Sequence, residues 1–480
     1  MPLPKSKTSN VILTLLLAWF WNVHVYLETF GCQMNILDSE LIQNQLVSDG
    51  YEFVDKPEKA NVVLYNTCSV RDLSEQKVLS RLGILKQRKD QGEDLIVGLL
   101  GCMAERTNTD VLEKNPHIDL LVGPSRLGEI SGLLKNLREE KLDRQVALSD
   151  FRSRKGKNLD HEPMDSLEAL DAARLSGDKV LKSQAYIRIT RGCNKFCSFC
   201  VVPRTRGPEV HRSFESILNE AKSLVDSGVL EITLLGQTIN HYPDFAKLLK
   251  EMHDRNPDLK RLRFMTSYPR DFTDEALDVM ASSERICKYL HIPAQSGSDA
   301  VLRRMNRGYT REQYMDLIHR ARARMPDISI VGDMIVGFPG ETEEDFEASL
   351  SLIREVRYHN IFVFKYSPRP GTVADKRELD DIPNSVKKSR NNRMLACQKE
   401  VSLFEHQKAI GSQMSVLVEG HAKLEGPARL QARTQGDQIV LLNGPDSLIG
   451  QLVNVRIEQA STLSLIGVLG ENSCFTQPQF

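Results

Sequence analysis

The stretch Ala185–Gly207, AYIRITRGCNKFCSFCVVPRTRG, indicates both the architecture of this chain and its chemistry. An apolar strand pattern, AYIRIT, runs directly into three cysteines, Cys193, Cys197 and Cys200, spaced C-x3-C-x2-C. Structural zinc sites use four ligands, so three thiolates alone do not complete one. Three thiolates on one short loop instead suit an iron–sulfur cluster in which one iron has no protein ligand. The sequence therefore predicts a cluster-binding loop that follows a strand.

An iron without a protein ligand can bind a small molecule and pass it an electron. The spacing resembles that of radical S-adenosylmethionine (SAM) enzymes, in which SAM binds this iron and is cleaved to a carbon radical. The alternative is a zinc knuckle that takes its fourth ligand from elsewhere in the chain, which three-cysteine motifs of this spacing rarely form. Phe199, beside the last cysteine, is expected either to pack against the adenine of SAM or to shield the cluster from water.

Length, charge and cysteine usage restrict the class of protein. A chain of 480 residues is too long for one hydrophobic core, so about two to four domains are expected. The formal net charge of −1 does not favour nucleic acid over the whole surface, so an RNA site must be a local basic patch. Nine cysteines, an odd number and most of them widely spaced, do not indicate a disulfide scaffold. Reduced thiols and a cluster indicate the cytoplasm.

Residues 1–22 are interpreted as a leader. Its apolar run Val11–Trp21, VILTLLLAWFW, follows two lysines, but no small-x-small cleavage site comes after it. The run is shorter than the about 20 residues that span a bilayer. We expect no stable membrane association, and a leader that contacts the membrane is the alternative.

The region 23–142 alternates strand-like and helix-like segments, which predicts a parallel α/β sheet. One cysteine follows each of three strand patterns: Cys32, Cys68 and Cys102. Their separation is close to one βαβ unit of roughly 30 residues, and parallel strands bring their carboxyl ends to one edge of the sheet. A shared iron–sulfur site is therefore predicted at that edge. The alternative is three small buried residues, because free cysteine is often a core residue.

The remaining chain divides by pattern. Residues 143–184 are charged and contain Gly and Pro, which is typical of a linker. Six strand–helix repeats over 185–405 predict a TIM-like partial (β/α)6 barrel with a trailing helix. Five short strand patterns over 406–472 predict a small OB-like β-barrel, followed by a tail at 473–480.

Ligand-binding side chains of the central barrel are expected at the carboxyl ends of its strands. Besides Phe199, this rule selects Gln237, Gln295, Ser296 and Gly337.

A basic segment at the start of the trailing helix is predicted to form an RNA face with the last barrel. Its residues are Lys387, Lys388, Arg390 and Arg393.

Three further arginines, Arg303, Arg304 and Arg307 in LRRMNRG, are candidate phosphate contacts, although each alone is more typical of a solvated surface charge. Neither a serine nucleophile elbow nor an HExxH motif is present, which argues against hydrolytic catalysis.

The full set of motifs resembles MiaB-type tRNA methylthiotransferases from Val25 to about Gly470: ETFGCQMN, NTCSVR, GCMAER, RGCNKFCSFCVVPRTRG, LLGQ, HIPAQSGS, DMIVGFPGET and FKYSPRPGT. The resemblance implies an N-terminal methylthiotransferase domain, a radical SAM domain and a C-terminal TRAM domain. It also implies SAM as cofactor and two [4Fe-4S] clusters. The auxiliary cluster would bind Cys32, Cys68 and Cys102, and the SAM cluster would bind Cys193, Cys197 and Cys200.

The reaction implied by this resemblance adds a methylthio group to carbon 2 of N6-isopentenyladenosine next to the tRNA anticodon. One SAM supplies the methyl group and a second is the source of the radical. The implied partners are tRNA and an electron donor such as flavodoxin or ferredoxin, with the enzyme a monomer. Alternatives are the same chemistry on threonylcarbamoyl-adenosine in tRNA or on an aspartate of a ribosomal protein. From another class, a non-catalytic iron–sulfur sensor that binds tRNA is also considered.

Four residues depart from those usual in this family. Arg204 replaces an aromatic residue, Thr238 and Ile239 replace Asn-Val, and Tyr268 replaces His. None is a predicted cluster ligand, so we expect the departures to affect the substrate pocket rather than the class of reaction.

Overall fold

The computed structural model describes residues 23–69, 72–140, 142–149, 170–171, 174, 183–422 and 430–470. The predicted leader and tail, and most of the predicted linker, lie outside these residues. The chain forms two compact units. The first contains the N-terminal sheet together with residues 192–194 and 201–209, and the second contains the central strands and the C-terminal barrel.

The first unit is built on a six-stranded parallel sheet, as the alternating pattern predicts, in the order β2-β1-β3-β4-β5-β6. Its strands are β1 His24–Phe30, β2 Glu52–Phe53, β3 Val62–Thr67, β4 Ile96–Leu100, β5 Leu120–Val122 and β6 Gln145–Ala147. Its helices are α1 Gln33–Ser48, α2 Asp72–Asp90, α3 Cys102–Thr107, α4 Asp110–Lys114, α5 Ile130–Glu139 and the short α6 Val202–Thr205. All six residues of β3 are buried, because a central parallel strand is covered on both faces.

Strand β6 lies in the segment that the sequence analysis assigned to the linker. Its backbone is held at both ends: the Gln145 N–H donates to the Asp119 carbonyl at 2.8 Å, and the Gly123 N–H donates to the Ala147 carbonyl at 2.8 Å. Three residues are too few for a strand pattern to be recognised, so long-range pairing rather than local sequence defines this strand. The sheet therefore extends beyond residue 142, and the other domain limits stay predictions.

The second unit begins with six strands that form two parallel three-stranded sheets, β11-β10-β7 and β12-β13-β14, linked by a parallel bridge between Leu262 and Ile286. This arrangement agrees with the predicted open barrel. The strands are β7 Gln184–Arg188, β10 Glu231–Leu235, β11 Arg261–Phe264, β12 Tyr289–His291, β13 Ser329–Val336 and β14 Asn360–Lys365. A short antiparallel pair, β8 Thr190–Arg191 and β9 Val210–His211, follows β7.

Helices pack against these strands and bury a large apolar core with them. They are α7 Phe214–Asp226, α8 Phe245–Arg255, α9 Asp274–Ser282, α10 Asp299–Arg304, α11 Arg311–Arg324, α12 Glu343–Val356, α13 Val373–Arg377 and α14 Asn384–Gln407. Side-chain caps begin several of them; at α11 and α12 a threonine and the residue three positions later satisfy each other's backbone N–H groups.

Five strands close the C-terminal barrel in the order β15-β16-β17-β19-β18, which confirms the predicted small barrel. They are β15 Gln413–His421, β16 Leu430–Thr434, β17 Ile439–Leu442, β18 Leu452–Ala460 and β19 Leu465–Leu469. Over the described ranges, none of the helices combines the length and the apolar character needed to cross a membrane.

Buried charge attaches this barrel to the amino ends of the central strands. Arg261 and Arg263, on β11, pair with the buried carboxylate of Glu231 at 3.5 and 3.4 Å. Arg261 donates to the Arg433 carbonyl at 2.8 Å, and Arg263 donates to the Gln435 carbonyl at 3.0 Å. Because the barrel is attached at the amino ends, it leaves free the carboxyl ends of the strands, which are where barrel enzymes bind ligands.

Candidate metal centres

The first cysteine trio lies at the carboxyl edge of the N-terminal sheet. Cys32, Cys68 and Cys102 follow β1, β3 and β4, which are neighbours in the sheet. All three are free thiols; Cys68 and Cys102 are buried and Cys32 is half-buried. The structure thus brings together the three residues selected from the sequence, and their role as cluster ligands stays a prediction.

Glycines before two of these cysteines allow the strand ends to approach. A Cβ atom on Gly31 would lie 2.9 Å from the Cβ of Cys68. Gly101 has φ of +86°, and a Cβ there would lie 2.3 Å from Oδ1 of Asn66. A larger residue at either position would push the strand ends apart, so the glycines of FGC and LGC are required by the packing of the trio.

The three thiols are not electrostatically equivalent. A hydrogen bond from Cys68 lowers the pKa of Cys32 to about 6, although burial opposes this effect. Burial raises the pKa of Cys102, and the charge of Arg206 acts in the opposite direction. These effects favour the thiolate of Cys32 and oppose that of Cys102, and metal binding requires thiolates.

Arg206 is a neighbour of this trio that the sequence analysis did not select. Its side chain is only 6% exposed and its Nη2 lies 2.9 Å from Oδ2 of Asp38, whose side chain is fully buried. The positive charge of Arg206 also acts to lower the pKa of Cys102. The signal in the sequence was the second arginine of VVPRTRG, but the local pattern gave no indication of its partner.

The donor set at this edge fits an iron–sulfur cluster. Three reduced cysteines converge, and the hydroxyl of Thr67, next to Cys68, is buried without a hydrogen-bond partner in the described part of the chain. Within that same part, no three Cys, His, Asp or Glu side chains are close enough to hold one metal ion. A cluster differs from a single ion because each thiolate binds a different iron.

The second trio lies on the loop between β8 and β9. Pairing of Thr190 with His211 closes the base of this loop. Beyond it, the Cys193 N–H donates to the Gly207 carbonyl at 3.1 Å. Gly192 has φ of +74°, and a Cβ there would lie 1.9 Å from the Pro208 carbonyl oxygen. The backbone before the first cysteine therefore admits only glycine.

Cys197 and Cys200 form a tight turn in which the Cys200 N–H donates to the Cys197 carbonyl at 3.0 Å. The side chain of Arg307 donates from Nη1 to Sγ of Cys197 at 3.3 Å. The sequence pattern placed Arg307 on the surface, as a phosphate contact or as a solvated charge. That interpretation is wrong, because Arg307 is only 7% exposed and its guanidinium is used inside the domain.

Arg307 is held by a cage of aromatic rings and carbonyls. Its Nε donates to the Tyr309 hydroxyl at 2.9 Å and its Nη2 donates to the Pro293 carbonyl at 2.9 Å. The guanidinium also lies 5.1 Å from the ring centre of Tyr268, whose hydroxyl donates to the Arg307 carbonyl. Tyr268, one of the four departures from the family pattern, therefore supports a residue that contacts a cluster cysteine.

Three predicted ligand-binding residues lie after central strands, as expected, but differ in the hydrogen-bonding groups that they can present to a ligand: Gln237, Gln295 and Ser296. Oε1 of Gln237 is buried without a hydrogen-bond partner among the residues described, so it is available to a ligand. Gln295 has φ of +72° and its backbone pairs with β13, which fixes the direction of its side chain. The Ser296 hydroxyl accepts the Ser298 N–H at 3.2 Å, so it acts first within its own turn.

Phe199 and Gly337 lie against different groups. Phe199 is half-buried and packs on an apolar cluster that includes Met305 and Phe338. Gly337 has φ of +70° and lies over the Lys387 side chain, and its N–H donates to Glu341 at 2.7 Å. Contact of either residue with SAM stays a prediction.

Two residues of the predicted RNA face are interior. Lys387 is 2% exposed and its Nζ lies 2.7 Å from Oδ2 of Asp380. Arg390 is 6% exposed and donates to Glu341 at 2.8 Å. Both therefore stabilise the turn around Gly337 instead of forming an exposed basic surface, contrary to the prediction.

The other two residues of that face point outwards. Arg393 is exposed but forms ion pairs with Glu343, at 2.5 Å, and with Glu347. Lys388 is exposed. Acidic partners reduce the charge that Arg393 can offer to phosphate, so a contribution of Lys388 is the part of the predicted RNA face that remains.

Three family models match the chain. Residues 24–123 match the Uncharacterized protein family UPF0004, residues 187–353 match the Radical SAM superfamily, and residues 407–469 match the TRAM domain. Among solved structures, a radical S-adenosylmethionine methyltransferase, TsrM, from Kitasatospora setae, with cobalamin and a [4Fe-4S] cluster bound, is similar with a TM-score of 0.55. It is 18% identical, with 73% of this chain and 74% of that chain covered. This likeness supports the fold.

Curated relatives extend over nearly the whole chain. A protein from Rhodopirellula baltica is 43% identical, with 92% of this chain and 95% of the relative covered. Proteins from Porphyromonas gingivalis and Carboxydothermus hydrogenoformans are each 40% identical, with 93% and 92% of this chain and 95% and 98% of those relatives covered. Each is named tRNA-2-methylthio-N(6)-dimethylallyladenosine synthase.

Proposed function

Because this chain belongs to the family of tRNA-2-methylthio-N(6)-dimethylallyladenosine synthases, we propose that it adds a methylthio group to carbon 2 of N6-isopentenyladenosine next to the tRNA anticodon. The observation that carries this proposal is the presence of two cysteine trios in one chain. One lies on the loop that follows β7 and β8, and the other lies at the edge of a separate sheet. A second cluster, separate from the one that binds SAM, suits a reaction that must also deliver sulfur.

The two trios divide the work. When bound, the two [4Fe-4S] clusters and SAM supply the radical and the sulfur chemistry. Cys193, Cys197 and Cys200 would hold the cluster that binds SAM, and Gly192 sets the backbone from which this loop starts. Cys32, Cys68 and Cys102 would hold the auxiliary cluster, which would supply the sulfur chemistry.

Other residues of the chain orient and insulate these groups. Arg307 fixes Cys197 through its N–H···S hydrogen bond. Phe199, packed on Met305 and Phe338, excludes water from one side of the cysteine loop. The free Oε1 of Gln237 offers an acceptor at the carboxyl end of β10, where a polar group of SAM or of the nucleoside can bind.

The proposed partners follow from this reaction. The C-terminal barrel, which matches the TRAM domain, contributes to tRNA binding, and Lys388 lies on the exposed start of α14. A low-potential electron donor such as flavodoxin or ferredoxin reduces the SAM cluster. We propose that the enzyme works as a monomer in the cytoplasm, where its tRNA substrate and reduced thiols are found.

Two cysteine substitutions in the full chain test the division of roles. Cys197→Ala is expected to abolish formation of 5′-deoxyadenosine while leaving tRNA binding largely intact. Cys68→Ala is expected to spare cleavage of SAM but to stop formation of the methylthio product. Cys397→Ala is the matched control, because this buried cysteine lies on α14 and packs in the apolar core. Unchanged 5′-deoxyadenosine production in Cys197→Ala would overturn the radical SAM assignment.

The substrate is tested by mass spectrometry of nucleosides. Reconstituted enzyme is incubated separately with tRNA that carries isopentenyladenosine and with tRNA that carries threonylcarbamoyl-adenosine, and a ribosomal protein acceptor forms a third arm. A methylthio product only with the first tRNA supports the proposal. A product only in either other arm replaces the substrate, and no product with active clusters favours a sensor.

A further inference from the structure

We propose that four side chains on the inner face of the central strands form the pocket for the modified adenosine and select its isopentenyl group. They are His291, Asp333, Phe362 and Phe364, on β12, β13 and β14. This inference rests on the proposed function and deepens it, because it names residues that distinguish isopentenyladenosine from threonylcarbamoyl-adenosine.

The strands present alternate residues to two faces. Apolar chain neighbours of the four residues pack in or against the large core beneath the helices: Leu290, Ile292, Met334, Ile361 and Val363. The four side chains therefore point to the opposite face, which is the inside of the open barrel. Strand register brings them together there, because Asp333 is paired with Phe362, and His291 is paired with the residue two positions before Asp333.

His291 is buried without the hydrogen bonds that a buried imidazole needs. It is 7% exposed, and within the described residues neither of its ring nitrogens has a hydrogen-bond partner. Neutral and charged imidazole both carry an N–H group, and a buried donor without an acceptor is costly. Nε2 lies 3.5 Å from Oδ1 of Asp333, which is too far for a good hydrogen bond. The ring therefore suits a ligand that enters the barrel.

The other three side chains leave a surface on which such a ligand can lie. The Asp333 carboxylate is half-buried, and Phe362 is 40% exposed although it lies on the inner face. The Phe362 ring stands edge-on to the imidazole of His291, with ring centres 6.4 Å apart. Phe364 follows on the same face and is half-buried. A donor, an acceptor and two apolar rings thus line one surface.

This surface lies where the proposed reaction needs its substrate. The Gln295 N–H donates to the Asp333 carbonyl at 2.8 Å, so Asp333 is level with a residue that was predicted to contact SAM. Ligands of barrel enzymes bind at this carboxyl end of the strands. Because the reacting carbon must meet the radical formed from SAM, the base has to lie beside SAM, inside the barrel.

Isopentenyladenosine matches the surface in polarity and charge. Its N6 keeps one N–H, and the neighbouring N7 is an acceptor. Asp333 accepts this N–H, and a ring N–H of His291 donates to N7. The isopentenyl group is neutral and apolar, and it packs on Phe362 and Phe364. A threonylcarbamoyl group instead carries a carboxylate, which the charge of Asp333 repels.

The test measures RNA binding, so it does not depend on turnover. The full chain, with both clusters reconstituted and SAM present but no reductant, is titrated into three labelled anticodon stem-loops. These RNAs differ in one adenosine, which is unmodified, isopentenylated or threonylcarbamoylated. Fluorescence anisotropy gives a Kd for each, and ratios between the RNAs cancel the general attraction between protein and phosphate.

Asp333→Asn is expected to reduce the preference for the isopentenyl RNA over the threonylcarbamoyl RNA about tenfold, because the repelling charge is gone. Phe362→Ala should reduce the preference for the isopentenyl RNA over the unmodified RNA about tenfold, because apolar contact is lost. His291→Leu should weaken the binding of all three RNAs by a similar factor, because N7 is common to them.

Two controls remove the same groups elsewhere. Asp327→Asn lies just before β13, Phe404→Ala lies on α14, and both residues are exposed, so the ratios should not change. Unchanged binding in any of the three pocket variants would overturn the pocket as proposed. If His291→Leu does not fold, as judged by circular dichroism, the other two variants decide. Failure of the proposed function looks different: the wild type would bind the three RNAs equally and form no methylthio product after reductant is added.

Discussion

Replacing Arg307 by Met is expected to loosen the SAM cluster far more than it destabilises the iron-free chain. In the described residues, Arg307 forms no ion pair with a carboxylate, and its hydrogen-bond partners are Cys197, Tyr309 and Pro293. A buried guanidinium without an anion is costly. The cost falls when Cys197 becomes a thiolate on binding iron, so the stabilisation by Arg307 belongs mainly to the loaded state.

The magnitude follows from the groups that lose a partner. In Arg307→Met, the Pro293 carbonyl keeps only a share of the Tyr309 hydroxyl proton, because this hydroxyl lies 3.2 Å from it and 2.8 Å from the Ala294 carbonyl. This loss is the same with and without iron, so it does not change the rate of iron release. The main loss is the charged hydrogen bond of 3.3 Å to the Cys197 sulfur. Hydrogen bonds to charged groups contribute about 1.5–3 kcal/mol. If this hydrogen bond is already broken in the transition state for iron release, Arg307→Met should release iron about 10-fold to 150-fold faster than the wild type.

The assay is iron release to a chelator under anaerobic conditions, in the full chain with Cys32, Cys68 and Cys102 changed to Ala, so that only the SAM cluster is present. Arg307→Lys should fall between the wild type and Arg307→Met, because an ammonium keeps the charge but not the planar fork. Arg303→Met is the control, since Arg303 lies on α10 and is exposed. An increase of less than about threefold in Arg307→Met would refute the reasoning, because it corresponds to less than about 0.7 kcal/mol, well below the contribution of a charged hydrogen bond.

Three further predictions concern pH, domain attachment and the loop backbone. Burial lowers the pKa of His359 to about 4, so below pH 6.5 the unfolded chain takes up a proton that the folded chain does not. Between pH 7.5 and pH 5, denaturant titration should therefore show that His359→Leu loses about 2 kcal/mol less of its free energy of unfolding than the wild type does. The control His319→Leu, at an exposed histidine, should lose as much as the wild type does. Arg263→Met should free the C-terminal barrel for limited proteolysis, at a cost of about 3–5 kcal/mol, and equal protease resistance would contradict this. Gly192→Ala should remove the iron of the SAM cluster but not that of the auxiliary cluster. Iron per chain is measured in a protein with Cys32, Cys68 and Cys102 changed to Ala and in a protein with Cys193, Cys197 and Cys200 changed to Ala.

The sequence predicted those features that repeat at a fixed spacing. Cys32, Cys68 and Cys102 each follow a strand of one parallel sheet, so periodicity alone was enough to bring them to one edge. The positions of the central strands and of the five barrel strands followed from runs of apolar residues. Strand β6 was missed because its pairing with β5, and not its composition, makes it a strand.

Charged residues were the part that local pattern could not predict. Lys387, Arg390, Arg206 and Arg307 are buried, and composition places such residues on the surface. The three arginines are buried because a distant partner receives their charge or their N–H groups: Asp38 is 168 residues from Arg206, Cys197 is 110 residues from Arg307, and Glu341 is 49 residues from Arg390. Lys387 differs, because its partner Asp380 is seven residues away. Partners at such separations leave no trace in a window of sequence.

The attachment of the C-terminal barrel has a consequence for experiments on RNA binding. Arg261, Arg263 and Glu231 form a buried charged cluster at the amino ends of the central strands, and the C-terminal barrel shields this cluster from water. A chain truncated before β15 would expose this charged cluster and leave the two arginines without their carbonyl partners. Loss of tRNA affinity after such a truncation would then report a damaged catalytic domain as much as a missing RNA-binding one, so single surface substitutions on the barrel are the cleaner way to map its contacts.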